Sequence, residues 1–191
     1  MSRVLASVVM AIAAIAALSA CVPVMIAAGA GGAALVATDR RTTGAQVEDE
    51  SIELKIVNQA NTRFGDRIHL NVTSYNGIVL LTGEAPDPGT VASIGNLARS
   101  TEKVRSIQDA LVVAPSSGLS ARTNDSYITS KVKARFVEAS KFAPNAVKVV
   151  TERNVVYLMG IVTRQEGNAA GEIAANTTGV VRVVKVFEYR T

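Results

Sequence analysis

The sequence predicts an α+β protein made of two tandem units, each with two helices packed on one face of a three-stranded mixed sheet. Three observations support this fold class. Two stretches of the chain carry apolar residues at every fourth position, as amphipathic helices do. Runs rich in β-branched residues, broken by short turn sequences, follow each stretch. Corresponding positions in the two halves are separated by an almost constant 76 or 77 residues, which indicates a duplicated fold.

The first helix of each unit is predicted from its apolar stripe. The stripe consists of Ile52, Ile56, Ala60 and Phe64 in the first unit and of Ile128, Val132 and Phe136 in the second. Asp49 and Asn124 are the expected N-caps, because their short side chains accept hydrogen bonds from the free amides at a helix start. The second of these helices is expected to cover residues 124–141.

A β-hairpin is expected after each first helix. Its strands lie within residues 71–83 in the first unit and 148–160 in the second. Asn76 and Gly77 predict a type I′ turn, which needs a positive φ at both central positions. Arg153 and Asn154 stand at the equivalent place, and asparagine tolerates the left-handed region.

A second helix and a closing strand complete each unit. The helices are predicted from Val91, Ile94 and Ala98, and from Ala170, Ile173, Ala174 and Thr177. The strands are predicted from Val104, Ile107, Leu111 and Val113, and from Val180, Val183, Phe187 and Tyr189. The chain thus divides into a first unit at residues 48–114, a linker at 115–123 and a second unit at 124–191.

The first 20 residues have the pattern of a secretory signal. A single arginine precedes an apolar run of 15 residues that ends at Leu18, and small residues follow. As a helix, this run is too short to cross the hydrocarbon core of a bilayer. A signal anchor with an incidental cysteine is the alternative interpretation.

Leu18-Ser19-Ala20-Cys21 resembles a bacterial lipobox. The resemblance implies that residues 1–20 are removed and that Cys21 carries the acyl chains, with residues 21–47 as lipidated N-terminus and linker. An aspartate after the cysteine usually retains such proteins in the inner membrane. Val22 stands there instead, which implies sorting to the outer membrane.

Composition excludes several classes of protein. One cysteine cannot form an internal disulfide, and one cysteine with one histidine cannot complete a Cys/His zinc site. A net charge of +4 over 191 residues does not suggest nucleic-acid binding. No nucleophile elbow, phosphate loop or metal-binding motif is present, so we expect no catalysis and no cofactor. His69 is expected to be a structural or surface residue.

An acidic group precedes the first apolar stripe. It consists of Glu48, Asp49, Glu50 and Glu53. A cation site is one interpretation. A helix N-terminus enriched in acids is the favoured one, because the helix dipole stabilises negative charge there.

The two units resemble BON domains (bacterial OsmY and nodulation). The resemblance rests on the order of elements, on Gly83 and Gly160 at the end of the second strand, and on Gly179-Val180 before the last strand. Lys103 stands in the first unit where that glycine is expected. Two such domains behind a lipobox resemble dual BON-domain outer-membrane lipoproteins. Those proteins face the periplasm and bind phospholipid through the second domain. They are also linked to division sites, envelope integrity and the barrel-assembly machinery.

The first helices of the two units differ in charge. Residues 48–64 hold four acidic and two basic residues, whereas residues 124–141 hold two acidic and four basic ones. Helical spacing places five residues of the second helix on one face: Tyr127, Lys131, Ala134, Val137 and Lys141. Their counterparts in the first unit are Ser51, Lys55, Asn58, Asn61 and Gly65. The second face is therefore the more cationic and the more apolar.

An amphipathic tyrosine flanked by lysines suits the interface of an anionic bilayer. With the resemblance, this predicts binding of phosphatidylglycerol or cardiolipin through Tyr127, Ile128, Lys131, Lys133, Ala134, Val137 and Lys141. The face could instead be an ordinary solvated surface or pack on the first unit. Two other functions compete with this one. The first is a protein-interaction adaptor of the outer-membrane assembly machinery that does not bind lipid directly, and the second is a passive periplasmic spacer or chaperone-like module.

Overall fold

The computed structural model describes residues 39–190, which all belong to one compact unit of the chain. Their elements are α1 (Thr43–Phe64), β1 (His69–Tyr75), β2 (Ile78–Ala85), α2 (Pro88–Ser100), β3 (Ser106–Val113), α3 (Leu119–Ala139), β4 (Lys148–Glu152), β5 (Val155–Val162), α4 (Arg164–Ala175) and β6 (Arg182–Tyr189). This order confirms the predicted α+β fold of two tandem units. Within residues 39–190, no helix is both long and apolar enough to cross a membrane.

Each unit contains one three-stranded mixed sheet. β1 pairs antiparallel with β2, and β2 pairs parallel with β3. β4, β5 and β6 repeat the same order and directions. The parallel pair requires a crossover, which α2 supplies in the first unit and α4 in the second.

The hairpin turns have the predicted type I′ character. Tyr75 pairs with Ile78 and Glu152 with Val155, so each turn has two central residues. In the first turn φ is 52° and 75° at residues 76–77, and in the second it is 51° and 62° at residues 153–154. Both pairs therefore occupy the positive-φ region that this turn demands.

The helices cover one face of each sheet and form its main core. In the first unit, Ile52, Ile56 and Ala60 of α1 pack with Val79 and Leu81 of β2. In the second unit, a matching cluster joins α3, β4, β5 and α4. Side chains alternate along a strand, so the intervening residues of β2 and β5 point to the opposite face.

Those opposite faces pack against each other. Tyr75 and Leu80 of the first sheet form a shared cluster with Tyr157 and Met159 of the second. The result is four layers, in the order helices, sheet, sheet, helices. β2 and β5 are buried on both faces, which explains their nearly continuous apolar sequences.

Two glycines at equivalent places allow a close backbone approach. A Cβ at Gly83 would lie 1.9 Å from the carbonyl oxygen of His69, and one at Gly160 would lie 2.3 Å from that of Ala146. Any side chain there would clash with that backbone, which belongs to β1 in the first unit and to the turn before β4 in the second. The requirement explains why both units carry glycine at this point of the second strand.

The predicted N-caps are wrong. α1 begins at Thr43, and the Thr42 hydroxyl oxygen accepts a hydrogen bond from the Ala45 amide at 3.1 Å. α3 begins at Leu119 after Gly118, within the predicted linker. Both helices start five or more residues earlier than expected, because their first turns lack the apolar periodicity on which the prediction depended.

The acidic residue near each predicted cap has a different role. Asp49 lies inside α1, and its carboxylate accepts hydrogen bonds from the backbone amides of residues 76–77 at 2.7 and 2.9 Å. Asp125 lies inside α3 and accepts from the amides of residues 153–154 at 2.9 and 2.8 Å. Each carboxylate thus fastens a hairpin turn to the first helix of its unit.

Candidate functional site

The buried side of α3 faces the sheet of the second unit. Ile128, Val132 and Phe136 form the predicted stripe and are each at most 1% exposed. They pack with residues of β4 and β5. The prediction that Ile128 contacts lipid is therefore wrong, because its position in the stripe makes it part of the core.

Tyr127 lies on the outer side of α3, with 61% of its surface exposed. The Lys131 ammonium lies 4.6 Å from the centroid of its ring, within range of a cation–π contact. Lys131 also donates a hydrogen bond to the carbonyl oxygen of Thr178. The tyrosine is thus free of the first unit, while the lysine is tied to the segment before β6.

Two exposed apolar residues that sequence reasoning missed lie at the same end of the second unit. Leu119 is 81% exposed and lines an open depression beside Tyr127. Val181 is 76% exposed, and its amide donates to the carbonyl oxygen of Asn154 at 2.9 Å. The Asn154 side chain in turn accepts from Asn124 of α3 at 2.8 Å. We call Leu119, Tyr127 and Val181 the second-unit apolar face.

No sequence signal marked Leu119 or Val181. Leu119 falls in the predicted linker, ahead of the periodic stripe. Val181 continues an apolar run toward a strand, where burial is the ordinary expectation. Their exposure depends on where α3 begins and on how the closing strand enters the sheet.

Three other predicted residues are exposed along α3. Ala134 and Lys133 are exposed, and Val137 is 61% exposed. Lys133 and Val137 line a cleft together with Tyr75 of the first unit. At about 100° per residue, Lys133 lies about 120° around the helix from Tyr127. The predicted face therefore divides into two sides of α3.

Lys141 does not belong to the helix. α3 ends at Ala139, and Ser140 adopts a left-handed conformation with φ of 48°. Lys141 is exposed in the loop that follows. Its placement on the helix face by spacing is therefore wrong.

The counterparts of the second-unit apolar face are polar in the first unit. Thr43, Ser51 and Arg105 occupy the equivalent positions, 76 residues earlier. Arg105 donates to the Glu188 carboxylate at 2.8 Å and to the Asn76 carbonyl oxygen at 3.0 Å. α1 does expose two apolar residues of its own, Val47 and Leu54, each 62% exposed.

Three of the four acidic residues around Val47 and Leu54 are held by other groups, and Glu50 is exposed. Glu48 pairs with Lys103, and Glu53 pairs with Lys148 at 3.3 Å while accepting from the Ser74 amide. Asp49 is held in the hairpin contact. None of them lies in the first turn of α1, so the interpretation as an acid-enriched helix N-terminus is wrong.

α3 keeps its cationic character in the folded protein. Across residues 39–190, no carboxylate pairs with Lys131 or Lys133. Arg135 donates to the carbonyl oxygen of Asn176. Of the acids on α3, Asp125 is occupied by the hairpin amides, which leaves Glu138 as the exposed one.

Cys21 lies outside the described residues, as does the whole predicted signal. The nearest described segment, residues 39–41, contacts both units. Arg41 donates to the Asp49 carboxylate of α1 at 2.9 Å, whereas Arg40 binds the second unit. Arg40 donates two hydrogen bonds to Glu166 at 2.6 and 2.7 Å and one to the Ile161 carbonyl oxygen at 2.8 Å. The paired guanidinium lowers the pKa of Glu166 to about 2.

Comparison with known proteins agrees with these observations. The BON domain family matches residues 48–115 and 124–191. Outer membrane lipoprotein DolP of Haemophilus influenzae is 37% identical over 174 residues, which are 90% of each chain. The 21 kDa hemolysin of Actinobacillus pleuropneumoniae is 34% identical over 153 residues, which are 79% of each chain.

Two solved structures of CdsD, a structural protein of the type III secretion system of Chlamydia trachomatis, are more distant. They align with TM-scores of 0.31 and 0.29 at 10% and 13% identity. The alignments cover 72% and 70% of this chain, and 96% and 90% of the CdsD chains. A likeness this weak carries no argument about fold or function.

Proposed function

We propose that this protein, which belongs to the BON domain family and is an outer-membrane lipoprotein, binds anionic phospholipid through α3 of its second unit. The observation that carries the proposal is the second-unit apolar face. Three large apolar side chains stand more than half exposed at one end of a unit whose helix is cationic. The equivalent positions of the first unit are polar.

The chemistry of this face suits the boundary between head groups and acyl chains. Tyrosine places an apolar ring and a polar hydroxyl at such a boundary. Leu119 and Val181 add apolar surface that can insert to a shallow depth. Each lysine near an anionic leaflet contributes about 1 kcal/mol to association. Together these contacts favour weak binding that depends on lipid composition.

The chain between the proposed anchor at Cys21 and the described residues is long enough to allow this contact. The described chain begins near Ile161, close to the end of β5, whereas the apolar face surrounds Asn154 at its start. A strand of 8 residues spans about 26 Å. The 18 residue-to-residue steps from Cys21 to Asp39 can span at most about 60 Å. An acylated Cys21 and the apolar face can therefore engage the same membrane.

Acylation would also raise the local concentration of the face at the bilayer. An intrinsically weak affinity then suffices, because the second contact becomes intramolecular. We infer that the protein faces the periplasm and supports envelope integrity by binding anionic lipid, with enrichment at division sites.

A vesicle titration tests the proposal. Residues 38–191 are expected to bind vesicles that contain phosphatidylglycerol or cardiolipin, and to bind phosphatidylcholine vesicles poorly. Tyr127→Glu should weaken binding, because it places a carboxylate at the centre of the face. Since Tyr127 is exposed, the thermal melt should hardly change.

Ser51→Glu is the matched control. It introduces the same side chain at the equivalent position of the first unit, and binding should remain as in the unaltered protein. Equal binding to neutral and anionic vesicles would show that the charge of the head groups does not contribute to binding. An equal loss of vesicle binding in Tyr127→Glu and Ser51→Glu would show that α3 is not the specific lipid contact.

The second candidate is an adaptor that binds a protein of the outer-membrane assembly machinery. Exposed Val47 and Leu54 on the acidic α1 favour it, since an acidic surface repels an anionic leaflet and suits a basic protein. An adaptor would co-purify with one defined partner even after Lys131 and Lys133 are neutralised. Lipid binding in the absence of such a partner would count against it.

A further inference from the structure

A buried polar cluster bridges the two units and lies outside the proposed lipid-binding face. His69 of β1 and Glu84 of β2 come from the first unit, and Glu152 at the end of β4 comes from the second. Each side chain has one atom that could bind a metal, either a ring nitrogen or a carboxylate oxygen. These three atoms all lie within 4.8 Å of one another. Glu84 is 0% and Glu152 6% exposed. A cleft reaches His69 and Glu152 from outside.

The hydrogen bonds fix which nitrogen of His69 carries a proton. His69 Nδ1 lies 2.8 Å from a carboxylate oxygen of Glu84. The Glu84 carboxylate also accepts from the Ser117 amide at 3.2 Å and pairs with the Arg153 guanidinium at 3.2 Å. An ionised carboxylate only accepts, so Nδ1–H donates. In the neutral imidazole, Nε2 therefore keeps its lone pair.

The Asn71 side chain lies between that lone pair and Glu152. Its Nδ2 donates to a Glu152 carboxylate oxygen at 2.8 Å and lies 3.4 Å from His69 Nε2. Among residues 39–190, no cation pairs with the Glu152 carboxylate. A buried carboxylate without a compensating charge favours the uptake of a cation.

We propose that this cluster binds a divalent transition-metal ion of the zinc class. His69 Nε2 and the Glu152 carboxylate are the primary ligands, and the Asn71 amide turns so that Oδ1 faces the ion. Imidazole and carboxylate are ordinary zinc ligands. Glu84 is a positioning residue, because a carboxylate on the second nitrogen orients a ligating imidazole and raises its basicity.

Two cations lie close enough to oppose the binding. Arg122 lines the cleft beside His69 and Glu152 and donates to the Ser117 carbonyl oxygen at 3.1 Å. Arg153 donates to the other carboxylate oxygen of Glu84 at 3.2 Å. Its side chain is 51% exposed and stands on a hairpin turn, so it can move toward solvent. The oxygen that holds His69 is not the one that holds Arg153. Binding of the ion and orientation of the imidazole are therefore compatible.

The equivalent place in the second unit lacks these groups. Ala146 stands where His69 is expected and Ile161 where Glu84 is expected, 77 residues later. Within residues 39–190 this cluster therefore occurs once, across the contact between units. An ion held there would fasten β1 of the first unit to β4 of the second.

Zinc titration of the full lipoprotein in a neutral detergent tests the proposal. We expect one zinc ion per chain and a higher melting temperature with zinc. Nitrogen NMR of the single histidine should show a zinc-dependent shift at Nε2 in the unaltered protein. His69→Asn and Glu152→Gln should abolish binding, and Glu84→Gln should weaken it about 10- to 100-fold. The Glu84 variant should also change the imidazole tautomer seen before zinc is added.

Glu50→Gln is the matched control, because it removes an exposed carboxylate far along the chain from the cluster and should leave zinc binding unchanged. Retained one-to-one binding in His69→Asn would overturn the proposal. So would imidazole nitrogen signals of the unaltered protein that do not change when zinc is added. Since the NMR readout uses the unaltered chain, a variant that fails to fold does not decide the outcome.

Discussion

The two units share one fold but expose different surfaces. Both fasten the hairpin turn with an aspartate of the first helix, and both place a glycine where strands approach closely. Outside the core, Leu119, Tyr127 and Val181 of the second unit correspond to Thr43, Ser51 and Arg105 of the first. Both units retain the contacts that maintain the fold, whereas the exposed residues at these positions differ. We therefore seek the distinct function of the second unit on α3.

The largest expected effect is the loss of stability when the aspartate that holds a hairpin turn is removed, and it should differ between the two units. Asp49 accepts from Ser74 and Arg41 in addition to the hairpin amides, at 2.6 and 2.9 Å. Among the partners found in residues 39–190, Asp125 has only the hairpin amides. Asp49→Ala should cost about 3–5 kcal/mol, as for a broken buried ion pair. Asp125→Ala should cost about 1–3 kcal/mol. Urea unfolding measures both, and a greater loss for Asp125→Ala would contradict this ranking.

The next effect concerns the ion pair between Arg40 of the N-terminal segment and Glu166 of α4. With Arg40 as partner, Glu166 has a pKa of about 2 in the folded protein and an ordinary value of 4.5. A depressed carboxyl pKa stabilises the fold above the ordinary value, and that contribution is lost as pH falls from 4.5 towards about 2. Glu166→Gln should cost about 1–3 kcal/mol at neutral pH.

The same pair of proteins provides the pH test. The difference in unfolding free energy between the unaltered protein and Glu166→Gln should shrink between pH 4.5 and about 2. The other carboxylates titrate in both proteins, so their contributions cancel in the difference between the two unfolding free energies. A difference that stays constant across this range would show that Arg40 does not stabilise the ionised form.

A surface exchange tests the comparison at the membrane. The triple variant Leu119→Thr, Tyr127→Ser and Val181→Arg gives the second unit the residues of the first. Binding to phosphatidylglycerol vesicles should weaken at least about tenfold, or about 1.4 kcal/mol. All three positions are exposed, so the thermal melt should stay nearly the same. Undiminished binding in a well-folded variant would place the lipid contact elsewhere.

The smallest effect concerns a loop that differs between the units. Lys103 adopts φ of 68°, and its counterpart Gly179 adopts φ of 99°. A Cβ at Gly179 would lie 3.2 Å from Ile128 Cγ1. Gly179→Lys should therefore cost about 1–2 kcal/mol, and Lys103→Gly should gain about 1 kcal/mol or less. Thermal melts check both, and a loss for Lys103→Gly would mean that its exposed contact with Glu48 outweighs the backbone strain.

Much of the fold could be predicted because it depends on local patterns. The stripe Ile52, Ile56 and Ala60 recurs 76 residues later as Ile128, Val132 and Phe136, which predicts the duplicated helix and its buried side. Asn76-Gly77 predicts the turn by itself. Charge and helical spacing also identified Tyr127 as an outward residue of the second helix, as the structure has it.

The remaining features depend on contacts distant in sequence. The sheets pack through Leu80 and Met159, which belong to different units, and no local pattern specifies that contact. His69 looks like an ordinary surface residue until this packing brings Glu152 beside it. Leu119 and Lys141 were misplaced because helix ends depend on caps and neighbouring loops more than on apolar periodicity.

In the proposed complex, α3 contacts the anionic bilayer and α1 does not. Paramagnetic broadening from a nitroxide-labelled lipid in phosphatidylglycerol bicelles, read on the amides of residues 38–191, tests it directly. We expect the strongest broadening at residues 119–127 and at Val181, and little at residues 43–51 and Arg105. Broadening that is strongest around Val47 and Leu54, or absent from both helices, would contradict the account.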